Sequence, residues 1–276
     1  MALIARGLGY IYGQGTGFGI DALRGVDVDL SPGELLVIAG ATGSGKSTLL
    51  RLLAGLLRPL AGSVTVDGAA PDARSARGRV AIVFQNPESQ FFAETVLADV
   101  AFGPRNLGAG DPDVVAAGAL AAVGLDPDTF GGRSPLTLSG GEARRAAIAG
   151  ALAMRAPYLL LDEPTAGLDS RGRRDVIAAI TAERARAGVA VVTHDPDEFL
   201  GHADHVLALR EGAPVFGGSV AALFDAFREY ESSGLRLPEV VRAQLLARER
   251  GARIPAIGFE PREAARALMA ARGDRR

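Results

Sequence analysis

Eight residues, Gly40-Ala41-Thr42-Gly43-Ser44-Gly45-Lys46-Ser47, carry the spacing G-x-x-x-x-G-K-[ST] between an apolar run and an amphipathic segment, Leu49 to Leu57. Glycines there let backbone N–H groups turn inward around a phosphate. A helix starting just after them adds orphan N–H donors and the positive end of its dipole. Lys46 then supplies a point charge to the β- and γ-phosphates of a nucleotide, and the Ser47 hydroxyl is placed to hold Mg²⁺. A glycine turn before an ordinary helix would account for the glycines. It does not account for Lys46, the only lysine in a chain whose 30 basic residues are otherwise arginine.

A second apolar run, Tyr158-Leu159-Leu160-Leu161, ends in two acids, Asp162 and Glu163. Two carboxylates at a buried strand end are costly unless they meet a cation or a proton-transfer task. Successive strand residues point opposite ways, so the two divide the work. Asp162 suits Mg²⁺, through water, and Glu163 suits polarising the water that attacks a γ-phosphate.

Leu138-Ser139-Gly140-Gly141-Glu142 precedes another helical segment. Ser139 can cap that helix, while the paired glycines leave its first amides uncovered, a second anion-seeking helix start. Two such starts and one triphosphate per chain point to two ATP molecules shared across a dimer. Gln85 and His194 each follow a short apolar strand, Val80 to Phe84 and Val189 to Val192. Ligands of α/β sheets gather at such strand ends, and His194 can reach the γ-phosphate from there. His202 and His205 show no ligand pattern and read as structural.

The elements that must position these groups read as an α/β chain. With 276 residues, one large or two small domains are expected. Residues 2–12 and 26–30 alternate apolar and polar positions as strands do, with a Gly-rich hairpin or flap at 13–19 between them. Tyr10 and Tyr12 lie on the first strand, as half-buried packing or as a platform for an adenine ring. Ser31-Pro32-Gly33-Glu34 turns into the strand before the glycine loop. Val64 to Gly68 is a strand and turn, the Ala-rich stretch to about 125 is helical, and Leu207 to Val215 is a last hairpin. Gly108–Pro112 and Asp126–Pro135 read as loops. Beyond Gly218, helices rich in Ala, Leu and Arg break at Gly234, Pro238, Gly251 and Pro255, ending in a solvated basic tail at Arg272, Arg275 and Arg276.

The net charge of −2 gives no general attraction to nucleic acid or anionic lipid. Zero cysteines exclude disulfides and thiolate chemistry. Met1 to Arg6 lacks the layout of a secretory signal, and the longest charge-free stretch, Gly7 to Ile20, is too short to cross a bilayer. The expectation is a soluble chain whose membrane role, if it has one, comes through a partner.

The order of these pieces resembles the ABC-type ATPases over residues 1 to about 218: the glycine loop, Gln85, Leu138-Ser139-Gly140-Gly141, the strand at 158–162 with Glu163, then Asp169 and His194. The resemblance implies a P-loop NTPase fold: an N-terminal antiparallel β subdomain, a RecA-like core, a helical subdomain inserted at about 88–155, and a C-terminal helical extension over 219–276. It implies a head-to-tail dimer sandwiching two ATPs with Mg²⁺. Tyr12, or failing it Tyr10, would stack on adenine. Gly40 to Thr48, Gln85 and His194 would contact the nucleotide, and Ser47, Gln85 and Asp162 would serve the metal. Glu163, His194, Lys46 and Gln85 would be the catalytic set. Ser139, Gly140, Gly141 and Glu142 would act across the dimer on the second ATP, with Asp169 beside them. Glu142 departs from the family's usual Gln, which puts a neutral polar contact near the nucleotide in question.

A narrower likeness is to the energy-coupling factor transporter ATPases, carried by Gly15-Thr16-Gly17-Phe18, Phe84 to Gln90, Asp99 to Gly108 and Ala147-Ile148-Ala149-Gly150. It implies ATP-driven uptake of a vitamin or transition-metal ion with three kinds of partner. These are a second ATPase subunit (identical or a paralogue), a transmembrane coupling subunit and a substrate-binding membrane protein. The extension would serve dimerisation. Residues after Gln85 would form the groove for the coupling subunit, with Glu88, Glu94 and Asp99 as candidates for its basic residues. The competing reading is a soluble ABC ATPase acting on nucleic acid or ribosomes, against which stand the single cassette, the missing heptads and the absent basic excess. A GTPase would need a second lysine for guanine selection, and an adenylate-type kinase would lack the Ser-Gly-Gly pattern.

Overall fold

The structure is a computed structural model and describes residues 1–15, 17–71, 78–86, 90–232 and 236–273. Its first two strands, β1 (Leu3–Tyr12) and β2 (Ile20–Leu30), pair antiparallel, with Leu3 opposite Leu30 and Tyr12 opposite Ile20. The glycine-rich segment is thus the tip of a hairpin. Next come β3 (Leu35–Gly40), α1 (Lys46–Leu53) and β4 (Ala61–Val66), which returns to β1 and completes a three-stranded sheet in the order β2-β1-β4.

The second sheet takes β3 as an inner strand. It adds β5 (Val80–Val83), β6 (Tyr158–Asp162), β7 (Gly188–Thr193), β8 (His205–Arg210) and β9 (Ala213–Ser219) in the order β5-β6-β7-β3-β8-β9. All neighbours are parallel except the β8–β9 hairpin. Every residue of β3, β6 and β7 is buried, as their near-continuous apolar sequences require of strands covered on both faces. Because β3, β6 and β7 are neighbours with the same direction, the glycine loop, the two acids and His194 must emerge together at one edge. The turn before β3 is closed by the Ser31 N–H donating to the Glu34 carboxylate at 2.8 Å.

Between β5 and β6 lie α2 (Val96–Asn106), α3 (Pro112–Ala122), the short α4 (Pro127–Phe130) and α5 (Gly140–Ala153). Their starts follow the expected capping chemistry. Thr95 caps α2, and Asp111 with Pro112 opens α3. The stretch expected as a loop at 126–135 contains a helical turn, because Asp126 accepts from the Asp128 amide and Pro127 needs no donor. α6 (Ser170–Glu183) joins β6 to β7, and α7 (Asp197–Leu200) follows β7.

The C-terminal helices are α8 (Val220–Asp225), α9 (Phe227–Ser232), α10 (Glu239–Glu249) and α11 (Pro261–Gly273). Pro238 immediately precedes α10, without a side-chain capping bond, and Gly251, at φ +84°, follows its end. Leu223, Phe227, Tyr230, Leu237, Val241 and Leu245 lie in one apolar cluster with β3, β6 and β7 residues. Each such buried side chain contributes about 1.5–3 kcal/mol, so α8, α9 and α10 share the core that covers the sheet, and α11 packs on α10. Among the described residues, no helix is long and apolar enough to cross a membrane.

Candidate active site

The glycine loop connects the last residue of β3 to the first of α1. Gly45 sits at φ +99°, and a Cβ there would lie 2.4 Å from the Ala22 carbonyl oxygen. A Cβ on Gly40 would come within 2.4 Å of the Leu209 carbonyl and 2.5 Å of Ser44 Oγ. These two glycines are therefore demanded by close approach of β2 and β8 as well as by the loop's curvature. Ala41, Thr42 and Gly43 are exposed. Ser44 is buried, and its Oγ has no hydrogen-bond partner among the described residues. A buried, unpaired hydroxyl costs about 1–3 kcal/mol, a debt that a phosphate oxygen would remove.

Lys46 is 7 % exposed and folds back on the loop, its Nζ donating to the carbonyls of Gly40 at 2.7 Å and Ala41 at 2.9 Å. Burial lowers its pKa, opposed by the charges of Glu163 and Asp162. Ser47 hydrogen-bonds the Asp162 carboxylate, whose pKa burial raises against the pull of Ser47 and Lys46. The pair expected at Mg²⁺ is thus already assembled. A hydroxyl and a carboxylate side by side are hard oxygen donors of the kind Mg²⁺ takes, with water and phosphate oxygens completing its shell. Thr48 Oγ1 lies 3.3 Å from the Tyr12 hydroxyl, and Tyr12 meets Tyr10 edge-on with ring centroids 4.9 Å apart. Tyr12 therefore stands against the helix that follows the loop, while Tyr10 packs on the core.

Glu163 lies just past β6, buried, in the left-handed region at φ +53°. Its amide donates to the Val192 carbonyl of β7 at 2.9 Å, and its Oε2 lies 2.8 Å from His194 Nδ1. Asp162 and Glu163 do part company as the alternation expected: one meets Ser47, the other His194. Gln85 has an exposed side chain at the end of β5, and its carbonyl is held by Arg144. A cleft of about 400 Å³ runs from Gly40 and Ala41 past His194 to Asp197, closed on its far side by Arg236, Leu237 and Glu239.

Ser139 caps α5, with Gly140 exposed beside it. Glu142 turns back on the helix start and bonds Ser139. Its Oε2 accepts the Ser139 N–H at 2.7 Å while its own amide donates to Ser139 Oγ at 3.3 Å, a reciprocal capping box. That bond pulls the Glu142 pKa below the usual carboxylate value. Gln makes the same bond, so the departure at this position leaves the local geometry intact. Asp169 caps α6 by accepting from the Gly172 amide at 2.7 Å. Of the acids proposed for a coupling subunit, Asp99 accepts from the Phe92 and Ala93 amides, Glu94 is exposed, and Glu88 lies outside the described residues.

Reasoning on sequence missed Arg144 and Arg145. Arg144 donates to the Glu163 and Gln85 carbonyls, and Arg145 to the Gly124 carbonyl at 3.0 Å. Their position two and three residues after Glu142 carried no signal of which segments they would reach.

Residues 23–166 match the family model described as ABC transporter. The energy-coupling factor transporter ATP-binding protein EcfA2 of Symbiobacterium thermophilum is 45% identical over 264 residues, covering 92% of this chain and 91% of the relative. EcfA2 of Clostridium perfringens is 37% identical over 278 residues, 98% of each. Among solved structures, cbiO1 from Clostridium perfringens, part of the ABC transporter complex cbiONQ, superposes with TM-score 0.69 at 31% identity, covering 86% of this chain and 96% of its own. The dimeric ATP-binding cassette MJ0796 bound to ADP and Pi gives 0.71 at 26% identity, covering 79% and 98%. The fold agrees with these matches, and the chain belongs to the ABC transporter family, among the energy-coupling factor transporter ATP-binding proteins.

Proposed function

We propose that this chain is the ATP-hydrolysing subunit of an energy-coupling factor importer, closing on a second ATPase subunit to drive uptake of a vitamin or transition-metal ion. The observation that carries the reading is the convergence of Lys46, Ser47–Asp162 and Glu163–His194 at the ends of three adjacent parallel strands. The phosphates would lie on the loop amides, with Lys46 moving from the Gly40 and Ala41 carbonyls to the β- and γ-phosphates. Ser47 and Asp162, with Gln85 nearby, would hold Mg²⁺, which supplies charge neutralisation to the phosphoryl oxygens. Tyr12 would stack on adenine.

Glu163 accepts the proton of the attacking water as its oxygen bonds to the γ-phosphorus and the bond to the β–γ bridging oxygen breaks, giving ADP and phosphate. His194 orients that carboxylate. An ionised carboxylate only accepts, so their bond requires the hydrogen on Nδ1. Catalysis of this kind rests on positioning and charge stabilisation. The exposed start of α5, with Ser139, Gly140 and Gly141, would close on the ATP of the second subunit, and Asp169 would sit beside that interface. Closure is stable with ATP and released after hydrolysis, a rigid-body motion handed to the membrane partner.

The cassette would span 1–218, with its helical subdomain at about 88–155, and the extension 219–276 would contribute to dimerisation. The chain would work on the cytoplasmic face of the cell membrane, held there by a transmembrane coupling subunit and a substrate-binding membrane subunit, with no nucleic acid. Purification of the tagged chain from its native membranes in mild detergent tests this. Co-purification of a small multi-spanning protein is the expected result; ribosomes or DNA in its place would overturn the importer reading.

A further inference from the structure

Arg144 stands five residues past the Ser139 cap, about 7.5 Å along the axis of α5. Its guanidinium spans two backbone carbonyls that belong to the nucleotide site of its own chain. One terminal nitrogen donates to the Glu163 oxygen at 2.7 Å and the other to the Gln85 oxygen at 2.8 Å. The Glu163 peptide is otherwise held by its amide on Val192 and by a longer bond from the Ala166 amide at 3.3 Å. A residue with a Cβ at φ +53° needs such restraint, because the left-handed conformation is disfavoured without it.

The same helix begins at Ser139 and Gly140, both exposed, with Gly141 half-buried beside them. Helix α5, 14 residues long, packs on α2, α3, β5 and α6, and a packed helix of this kind shifts as one element. We propose that Arg144 is a positioning residue that transmits the seating of the α5 start on the second subunit's ATP to Glu163 in its own site. The inference rests on the proposed dimeric ATPase. Each ATP, by seating one helix start, sets the carboxylate that acts on the other ATP, and the two sites fire together. The fork of Arg144 is the element required: a lysine keeps the charge near Asp162 but meets only one of the two carbonyls.

The test compares the wild-type full chain, Arg144→Lys and Arg144→Ala, with Mg-ATP and any required subunits. Both variants should lose at least tenfold in kcat, with KM for ATP within threefold of wild type and the thermal midpoint of Arg144→Lys within a few degrees. In a Glu163→Gln background, Arg144→Lys should still accumulate ATP-closed dimers. Should Arg144→Ala not fold, Arg144→Lys decides the matter. Wild-type turnover by Arg144→Lys would overturn the proposal, as would a kcat loss matched by an equal loss of thermal stability or a rise in KM. A wild-type chain that hydrolyses no ATP would instead sink the proposed function itself.

Discussion

His194 Nδ1 lies 2.8 Å from Glu163 Oε2, tying the loop after β7 to the residue that follows β6. The imidazole is 65% exposed while the carboxylate is 10% exposed, so the histidine reaches inward from the solvent side of the cleft. A positioning role predicts that His194→Ala lowers kcat by about 10²-fold or more, the size of effect expected when a general base is misplaced. ATP affinity should stay within a few-fold. Steady-state kinetics alongside equilibrium binding of a labelled nucleotide separate the two; unchanged kcat would remove the histidine from the mechanism.

Lys46 Nζ donates to the carbonyls of Gly40 and Ala41, within the glycine loop itself. Lys46→Ala deletes its charge-assisted bonds to phosphate, worth about 1.5–3 kcal/mol. Affinity for ATP should fall by roughly tenfold to a hundredfold or more, read by titration calorimetry. Wild-type affinity would mean that the phosphates do not sit on this loop.

Glu142 and Ser139 cap α5 reciprocally. Glu142→Gln should therefore be nearly neutral in urea denaturation, whereas Glu142→Ala should cost about 0.5–1 kcal/mol. Because the Glu142 pKa is lowered in the folded chain, its contribution is present above the unfolded value and lost as pH falls through the folded one. A destabilisation by Gln as large as that by Ala would contradict the capping assignment.

Asp197 is pushed above the usual carboxylate range by burial and by the like charges of Asp195, Glu239 and Glu198. The folded chain thus keeps a proton that the unfolded chain has released, so stability falls as pH rises through the interval just above the ordinary aspartate value. Asp197→Asn should flatten that part of the pH profile and raise the midpoint at neutral pH. Thermal melts across the acidic range check it, and an unchanged slope would contradict it.

The strand, glycine loop and helix around Lys46 were legible because their signals are local: eight consecutive residues, one lysine, and an apolar strand before them. Asp162 and Glu163 were legible for the same reason, since alternation along one strand sends them to different partners. The capping role of Glu142 was readable too, since Ser139-x-x-Glu142 is a capping pattern. The Tyr12–Thr48 and Arg144–Glu163 contacts join residues 36 and 19 positions apart, and no spacing rule brings them together before the sheet order is known. The helices after 219 were foreseen from their breakers. Their burial on the sheet was not, because each shows only a short apolar face.

Release of phosphate from Mg-ATP by the full chain, supplied with whatever subunits it needs and run beside Glu163→Gln, reaches the centre of the account. The wild-type chain should turn over, and the variant should bind ATP, lose turnover by several hundredfold or more and accumulate closed dimers. A wild-type chain with no affinity for adenine nucleotide, or a Glu163→Gln chain that hydrolyses at the wild-type rate, would contradict it.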